Sequence, residues 1–288
     1  MNLDYRQLRC LVAVVDHGGF TGAAAELGVS QPAVSRVIAG LERELGVRLL
    51  HRNSRILAPT AAGERVLVRA RRLITDLEDM VRDARSGLAT LRIGHAWAAM
   101  GSHTVEFQRR WAKNHPDIDV QLVRTNTPTG GLAERRCDIA IIRHGEATAS
   151  ADARFEDVVV GLEARYCVVA ADDPIARRRR LRLGDLAGRT IAVNLPSGTT
   201  TPDLWPPSNR PATEETHEVD DWLDVIASGR CVGVTAESTT AQYQRQGVVF
   251  RRLLDAPPVT VRLTWWRNEK PPVTADVVGL LAELYGGR

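Results

Sequence analysis

Apolar residues at helical spacing open the chain, in patterns separated by glycines. The first pattern ends at Gly18-Gly19, and its apolar face comprises Leu8, Leu11, Val12 and Val15. A short alanine-rich helix follows Thr21, which we expect to cap it, and Gly28 is expected to end it in the left-handed conformation. With a third helix after Ser30, these patterns predict a three-helix core.

The third helix has an apolar face and an opposite polar face. Pro32 falls in its first turn, where the missing N–H costs little, and Gly46 ends it. The apolar face comprises Val34, Val37, Ile38, Leu41 and Leu45. The polar face carries side chains suited to base edges in a DNA major groove: Gln31, Ser35 and Arg36. Helices around a glycine turn in an ordinary helical domain are the alternative.

Residues 51–59 read as a two-stranded hairpin, which completes a winged helix-turn-helix over residues 1–59. Arg52 and Arg55 of this hairpin could reach DNA phosphates or a minor groove. The alternative for both is an ordinary solvated surface.

From residue 60 the spacing changes to that of one long linker helix, over residues 60–88. Six apolar residues alternate three and four positions apart, as in a coiled-coil seam: Leu67, Ala70, Ile74, Leu77, Val81 and Ala84. A second row lies beside it: Val66, Leu73 and Met80. We predict that one stripe faces a second copy of the chain and the other covers the helical core. A helix packed only on its own domain is the alternative.

Strand-like and helical segments alternate over residues 90–288. Strands are predicted at residues 91–94, 120–123, 138–142, 166–170, 190–193, 231–235 and 259–266. Helices are predicted at residues 105–113, 132–137, 220–228 and 273–285. This alternation predicts parallel sheets with helices on their faces, in two lobes. We expect lobe 1 at about 90–161 and 266–288, and lobe 2 at about 162–265.

A cleft between two such lobes is the expected ligand site, because ligands bind beyond the carboxyl ends of strands in α/β sheets. Ten residues are expected to line it: Ala96, Trp97, Ala98, Ser102, Thr125, Thr127, Pro128, Arg143, Ser197 and Thr199. Arg143 could pair with an acidic effector. Ordinary turn chemistry is the alternative for the two hydroxyl-rich loops, and a surface position is the alternative for Arg143.

Charge is unevenly distributed along the 288 residues. The net charge is +3, and residues 1–88 contain 13 arginines but 10 acidic residues. The positive excess therefore accompanies the predicted DNA-binding end, in agreement with contacts to phosphates. The arginine run 177–180 with Arg182 could form a second nucleic-acid patch, but we favour a solvated face.

Several other classes of protein find no support in the sequence. No targeting segment or membrane-spanning run is visible, so we expect a cytoplasmic protein and no membrane partner. No phosphate-binding loop, nucleophile elbow or metal-ligand spacing occurs, so we expect no enzyme, no metal and no cofactor. The four cysteines are scattered, and buried thiols are expected; a redox switch using Cys167 and Cys231 is the alternative.

The stretches 21–27, 29–35, 41–50 and 60–63 resemble the LysR-type transcriptional regulators. The match is dense over about the first 65 residues. The resemblance implies a winged helix-turn-helix with a long linker helix, then an α/β two-lobed periplasmic-binding-protein-like effector domain. It also implies these DNA contacts: Ser30, Gln31, Pro32, Ala33, Ser35, Arg36, Arg52, Arg55 and Thr60. Family members often have Ser or Thr near Ala98, and its absence favours a more apolar or aromatic contact.

The sequence therefore predicts a sequence-specific, DNA-binding transcriptional regulator that dimerises through the linker helix and responds to an effector in the cleft. The expected partners are double-stranded DNA with an inverted repeat, a small-molecule effector, and copies of the same chain, as a dimer or by resemblance a tetramer. RNA polymerase is a further candidate partner. The alternative is a small-molecule binding or carrier protein whose helical N-terminus serves for assembly.

Overall fold

The chain forms two compact units. The computed structural model describes residues 3–53, 56–86, 88–144, 152–194 and 199–287. Unit 1 comprises Met1–Ala89 with Ala133–Arg136, and unit 2 comprises Thr90–Leu132 and Cys137–Arg288. Within the described ranges, no helix is long and apolar enough to cross a membrane.

The described residues of unit 1 form four helices and one hairpin. They are α1 (Tyr5–Asp16), α2 (Phe20–Leu27), α3 (Gln31–Leu45), β1 (Leu50–Asn53), β2 (Ile56–Pro59) and α4 (Ala61–Ser86). The core between them is aliphatic, and its fully buried members include Leu11, Val14, Val34, Ile38, Leu41, Leu49 and Leu67. Because these residues come from α1, α3, the wing and α4, burial of one shared core holds the winged helix-turn-helix together.

In unit 1, α2 and α3 end at the predicted glycines, but one predicted N-terminal cap is not observed. Gly28 and Gly46 have φ of 64° and 68°, so both end their helices in the left-handed conformation as predicted. The expectation that Thr21 caps α2 is wrong, because α2 begins at Phe20 with Gly19 as its N-cap. Phe20 packs against the unit 1 core, which draws the helix start ahead of Thr21.

Hydrogen bonds fix the wing to the helices, and the spacing of apolar residues in the sequence does not predict them. The Glu42 carboxylate accepts from the backbone N–H groups of Leu49 and Leu50 at 2.8 and 3.2 Å. At the other end of the hairpin, the Thr60 hydroxyl accepts from Gly63 N–H at 3.0 Å and donates to the Arg48 carbonyl at 2.8 Å. The base of the wing is therefore tied to both α3 and α4.

In the part of unit 2 that the structure describes, there are two five-stranded sheets, one in each lobe. Lobe 1 contains β3 (Ala89–His95), α5 (Thr104–Asn114), β4 (Ile118–Arg124), β5 (Ile139–His144), β6 (Phe155–Glu163), β12 (Val259–Trp266) and α8 (Thr274–Gly286). Lobe 2 contains β7 (Arg165–Ala170), β8 (Thr190–Asn194), β9 (Ala212–Thr216), α6 (Val219–Ala227), β10 (Val232–Ala236), α7 (Glu237–Gln242) and β11 (Val248–Arg252). Short 3-10 turns span Gly101–His103, Pro174–Arg177, Leu183–Leu186, Pro202–Leu204 and Pro207–Asn209.

The strand order is β4-β3-β5-β12-β6 in lobe 1 and β11-β7-β10-β8-β9 in lobe 2. The prediction of parallel sheets is only partly correct. The pairs β3–β5, β8–β10 and β8–β9 are parallel, whereas β12 runs antiparallel to β5 and β6, and β7 runs antiparallel to β10 and β11. Both sheets are therefore mixed.

Two predictions for unit 2 are wrong, one lobe boundary and one helix. Strand β12 pairs along its length with β5 and β6, so it belongs to lobe 1, and the return from lobe 2 precedes Val259. The helix predicted at residues 132–137 is a series of turns. Arg135, inside this segment, has a positive φ of 56°, which a regular right-handed helix does not allow.

Candidate functional site

The polar face of α3 lies on the surface of unit 1. Ser30, Gln31, Pro32 and Arg36 are exposed, and Ala33 and Ser35 are half-buried. The opposite face holds Val34, Ile38 and Leu41, which are fully buried in the core. This burial fixes the rotation of α3 about its axis, so the six predicted contact residues in its N-terminal half share one accessible face.

The first turn of α3 favours an anionic partner. It contains no acidic residue, and the Ser30 side chain makes no capping hydrogen bond. The helix dipole places partial positive charge at this end, next to the exposed Arg36. The structure therefore combines a cation and polar donors on a convex helix end, which suits a nucleic-acid groove.

Three further predicted DNA contacts lie in the wing or directly after it. The backbone of Arg52 lies in β1, and Arg55 falls outside the described residues. Thr60 is half-buried, and its hydroxyl already bonds to Gly63 and Arg48. The DNA contacts of Arg52, Arg55 and Thr60 remain predictions.

Apolar side chains are exposed along the C-terminal half of α4. The exposed fractions are 57% for Leu73 and 59% for Met80, with Leu77 and Val81 also exposed; we refer to these four residues as the α4 apolar surface. The predicted seam differs from it in part. Leu67 and Ala70 are 1% exposed within their own chain; Leu67 belongs to the unit 1 core, and Ala70 lies at the floor of an adjoining groove. Ile74 is half-buried, and Ala84 is exposed.

A groove of about 630 Å³ adjoins the α4 apolar surface. Leu73, Leu77 and Met80 belong to both, and the rest of the groove comes from the N-terminus, α1, α3 and α4: Leu3, Asp4, Tyr5, Leu8, Leu41, Leu45, Val66, Arg69, Ala70 and Asp76. The groove and the α4 apolar surface form one continuous apolar area of unit 1. Contiguous exposed apolar surface commonly marks an interaction site.

A cavity of about 40 Å³ lies between the lobes of unit 2. Seven of the ten predicted residues line it: Ala96, Trp97, Ala98, Thr127, Pro128, Arg143 and Thr199. The sequence did not single out the other seven: Gly130, Ile141, Ile142, Thr235, Ala236, Ser238 and Thr239. Four of these follow or end β10, so the rule that ligands bind beyond strand ends, applied to β10, would have found them.

The remaining three predicted residues do not line this cavity. Ser102 lines a separate cavity of about 20 Å³, together with His103, Leu162, Glu163 and Tyr285. Thr125 is buried at the base of its loop, where its N–H donates to the His95 carbonyl at 2.8 Å. Ser197 falls outside the described residues.

Arg143 forms a buried ion pair beside the cavity. Its side chain is 10% exposed and that of its partner Glu163 is 4% exposed, with Nη2 at 2.8 Å from Oε1. Arg143 also donates to the carbonyl groups of Ala98 and Ala99 at 2.6 and 2.8 Å. The sequence offered two roles for Arg143, a partner for an acidic effector or a surface arginine. In the structure its side chain is buried and bonds to Glu163 and backbone carbonyls.

Glu163 is held by groups from both lobes. The Tyr285 hydroxyl donates to its Oε1 at 2.9 Å, and the Ser238 N–H donates to its Oε2 at 3.0 Å. Burial raises the pKa of this carboxyl, but the charge and hydrogen bonds of Arg143 outweigh burial and hold the pKa at about 2. The pair therefore stays ionised at neutral pH.

The loop after β3 crosses from lobe 1 into lobe 2. The Trp97 ring meets the Trp222 ring edge to face at 5.1 Å, within the cluster formed by α6 and the lobe 2 sheet. The Tyr243 hydroxyl donates to the Trp97 carbonyl at 2.7 Å. A Cβ atom on Gly101 would lie 2.6 Å from Ser238 Cα, so only glycine permits this close approach of the lobes.

His95, at the end of β3, makes unit 2 sensitive to acid. It is 5% exposed, and burial, with the charges of Arg143 and Arg124, lowers its pKa to about 4. Because the folded pKa lies below the ordinary value of 6.5, the neutral form stabilises the fold above pH 6.5, and this contribution is lost as the pH falls towards 4.

We expect unit 2 to lose about 2–3 kcal/mol between pH 6.5 and 4 through His95. Urea unfolding followed by tryptophan fluorescence reports on unit 2, because all six tryptophans lie between residues 97 and 266. A His95→Asn variant should have a shallower pH dependence in this window. The exposed His217→Asn serves as the control, and equal pH slopes for wild type and His95→Asn would contradict the prediction.

The cysteines and the arginine run offer no competing site among the described residues. All four cysteines are buried. Burial raises the pKa of Cys167 to about 12, and burial with a hydrogen bond to Glu214 raises that of Cys231 to about 11, which disfavours reactive thiolates. No group of metal-ligating side chains occurs within the described ranges. The run at 177–180 is exposed, and Arg178 pairs with Asp185 at 2.8 Å.

Both units match models of one protein family. Residues 5–64 match the bacterial regulatory helix-turn-helix protein, lysR family, and residues 84–285 match the LysR substrate binding domain. The first match covers α1 to the start of α4, and the second covers the two lobes. The match to the second model extends over more than half of the chain.

The chain is also similar in sequence to known regulatory proteins. The chain is 33% identical over 195 residues to the small neutral protease regulatory protein of Streptomyces coelicolor, which covers 65% of this chain and 58% of that relative. It is 27% identical over 272 residues to the HTH-type transcriptional regulator BenM of Acinetobacter baylyi, which covers 90% of this chain and 88% of BenM.

The fold is that of solved regulators as well. The crystal structure of full-length CbnR complexed with its target DNA superimposes with a TM-score of 0.66 at 23% identity, over 97% of this chain and 99% of that chain. At this identity the likeness shows the fold alone. Since the family models account for both units in the observed order, the chain belongs to the LysR family of bacterial regulatory helix-turn-helix proteins.

Proposed function

We propose that the chain is a sequence-specific, DNA-binding transcriptional regulator of LysR type, which acts as a dimer and responds to a small-molecule effector bound between the lobes of unit 2. The observation that carries this proposal is the accessible polar face of α3 on a rigid winged helix-turn-helix. The DNA complex of CbnR, a protein with the same fold, supports it.

On DNA, Gln31, Ser35 and Arg36 would read base edges in the major groove. Gln pairs bidentately with adenine and Arg with guanine, whereas Ser accepts or donates at either base edge or phosphate. Ser30 and the first N–H groups of α3 would hold a phosphate. The wing arginines Arg52 and Arg55 would contact the backbone, which adds affinity without sequence information.

Dimerisation would use the α4 apolar surface and the adjoining groove. A second copy that covers Leu73, Leu77, Met80 and Val81 would remove exposed apolar area from water in both chains. A two-fold axis through this contact relates two α3 helices, so the preferred DNA contains an inverted repeat. A tetramer and a contact with RNA polymerase remain further candidates.

Effector binding would act through the contacts that join the lobes. The cavity is lined by both lobes, and it adjoins the Arg143–Glu163 pair and the loop after β3. An effector that binds one lobe arrangement more tightly shifts the population towards it. Because such a regulator acts on chromosomal DNA, we assign it to the cytoplasm. We assign it no enzymatic role, since its family consists of regulatory proteins.

Changing Arg36 tests whether α3 reads sequence. We expect Arg36→Ala to weaken binding to an operator selected from random DNA by at least about 10–100-fold, because each half-site loses a bidentate base contact, and to leave binding to scrambled DNA nearly unchanged. Fluorescence anisotropy at fixed salt measures both affinities. The matched control is Arg43→Ala, which removes an exposed arginine near the other end of α3.

Two results would count against this reading. An equal loss on operator and scrambled DNA would mean that Arg36 contacts only phosphate. If the wild-type chain bound no DNA with a salt-dependent affinity, the winged unit would be an assembly module, and the chain would be a small-molecule carrier.

A further inference from the structure

The cavity between the lobes contains no unpaired positive charge among its described lining residues. Arg143 is the one charged residue in that lining, and Glu163 neutralises it at 2.8 Å. A nearby buried cation, Arg165, does not line the cavity, and its guanidinium donates to the carbonyl groups of Thr199 and Pro257. A carboxylate ligand would have to displace Glu163 from Arg143 or enter with no other cation in the described lining to pair with it, and both are unfavourable away from water.

The lining does contain polar atoms that lack a partner within the protein. Ser238 is 4% exposed, and among the described residues its hydroxyl has no hydrogen-bond partner. The same holds for the indole Nε1 of Trp97, which can only donate. Trp97 and Ser238 both line this cavity, and Ser238 also lines the cavity of about 20 Å³. Because buried polar groups are normally satisfied, two orphaned groups on residues of one lining point to a ligand that accepts hydrogen bonds there.

The other polar groups of the lining are hydroxyls, and its walls are apolar. Thr235 and Thr239 are hydrogen-bonded to each other at 2.8 Å. The walls comprise Ala96, Ala98, Pro128, Ile141 and Ile142. This combination suits a compact molecule with an apolar body and a neutral oxygen.

We infer that the effector of this regulator is a small, uncharged molecule whose carbonyl or hydroxyl oxygen accepts hydrogen bonds from Trp97 and Ser238, and that the cavity rejects carboxylates. The inference rests on the proposed function, because it names the ligand class for the site between the lobes. It replaces the expectation that Arg143 binds an acidic effector.

The electrostatic preference of the cavity can be measured without knowing the effector. Ala96 is half-buried in the lining, so Ala96→Cys in the full-length chain places a thiol there. The variant is treated separately with neutral hydroxyethyl methanethiosulfonate and with its anionic sulfonatoethyl analogue, which has a chain of the same length, and intact mass gives both rates. Ser208→Cys, at an exposed position of unit 2, is the matched control, and the wild-type chain with its four buried cysteines gives the baseline.

We expect the ratio of neutral to anionic labelling rates to be at least about tenfold higher at Ala96→Cys than at Ser208→Cys, because a charged reagent must give up hydration without gaining a counter-charge. Equal ratios at the two positions, or faster anionic labelling at Ala96→Cys, would overturn the inference. Operator binding of the wild-type chain is measured in parallel. Its absence would refute the proposed function, whereas the labelling ratio concerns the cavity alone.

Matched ligand pairs then test the hydrogen bonds. Thermal unfolding of the full-length chain is measured in the presence of acetamide or acetate, and in the presence of propanamide or propanoate. We expect only amides to raise the melting temperature, and we expect Trp97→Phe and Ser238→Ala each to remove most of that shift. A larger shift with any acid than with its amide would overturn the inference, as would amide shifts that survive both substitutions.

Discussion

Glu163→Ala should lower the free energy of unfolding of unit 2 by about 3–5 kcal/mol, because removing one partner leaves the other charge of a buried pair uncompensated. Arg143 is 10% exposed and loses its only ion-pair partner in the described part of the chain. The Tyr285 hydroxyl and the Ser238 N–H lose their acceptor at the same time. Urea unfolding followed by tryptophan fluorescence measures the loss.

The control for this prediction is Glu106→Ala, which removes an exposed carboxylate from α5. The pH dependence of the free energy of unfolding is a second measurement of the same ion pair. Because the pKa of Glu163 is lowered from 4.5 to about 2, its contribution is complete above pH 4.5 and is lost as the pH falls towards 2. Glu163→Ala should flatten the stability curve in that window. A loss below about 1 kcal/mol would mean that water solvates Arg143 in place of Glu163.

Met80→Asp should weaken self-association of the full-length chain by at least about 100-fold, because burying an unpaired carboxylate costs several kcal/mol and a two-fold interface contains it twice. Met80 is the most exposed member of the α4 apolar surface, at 59%. Sedimentation over a range of concentrations measures the dissociation constant. Operator affinity should fall in parallel, because a single α3 reads only half of an inverted repeat.

Leu254→Asp is the matched control for Met80→Asp. It introduces the same charge at an exposed leucine of unit 2, outside the α4 apolar surface. An unchanged dissociation constant for Met80→Asp would move the dimer contact to another part of the chain. A loss of operator affinity without dissociation would instead assign Met80 a role in positioning the winged units.

The winged unit could be predicted from the sequence because its signals are local. Gly28, Pro32 and Gly46 fix the turns, and the apolar face of α3 recurs at helical spacing. Apolar spacing in α4 was ambiguous for a physical reason. Leu67 satisfies a heptad seam and an intrachain core equally well, and only the position of the wing decides between them.

Unit 2 was less predictable because its decisive contacts are distant in sequence. Strand β12 joins lobe 1 by pairing with β5 and β6, more than 90 residues earlier, and no periodicity records that choice. The same applies to Arg143. Its position at the end of β5 could be predicted from the sequence. Its ion-pair partner Glu163, which determines whether the guanidinium can bind a ligand, lies on another strand, β6.

The crossing of Trp97 into lobe 2 has a consequence for how these lobes can be recombined. Its ring completes an apolar cluster whose other buried members all come from lobe 2, and its carbonyl is held by Tyr243. Lobe 2 therefore lacks part of its own core without residues 96–100. A chimera that takes lobe 2 from a relative must take this loop with it, since the loop belongs to lobe 1 by chain connection and to lobe 2 by packing.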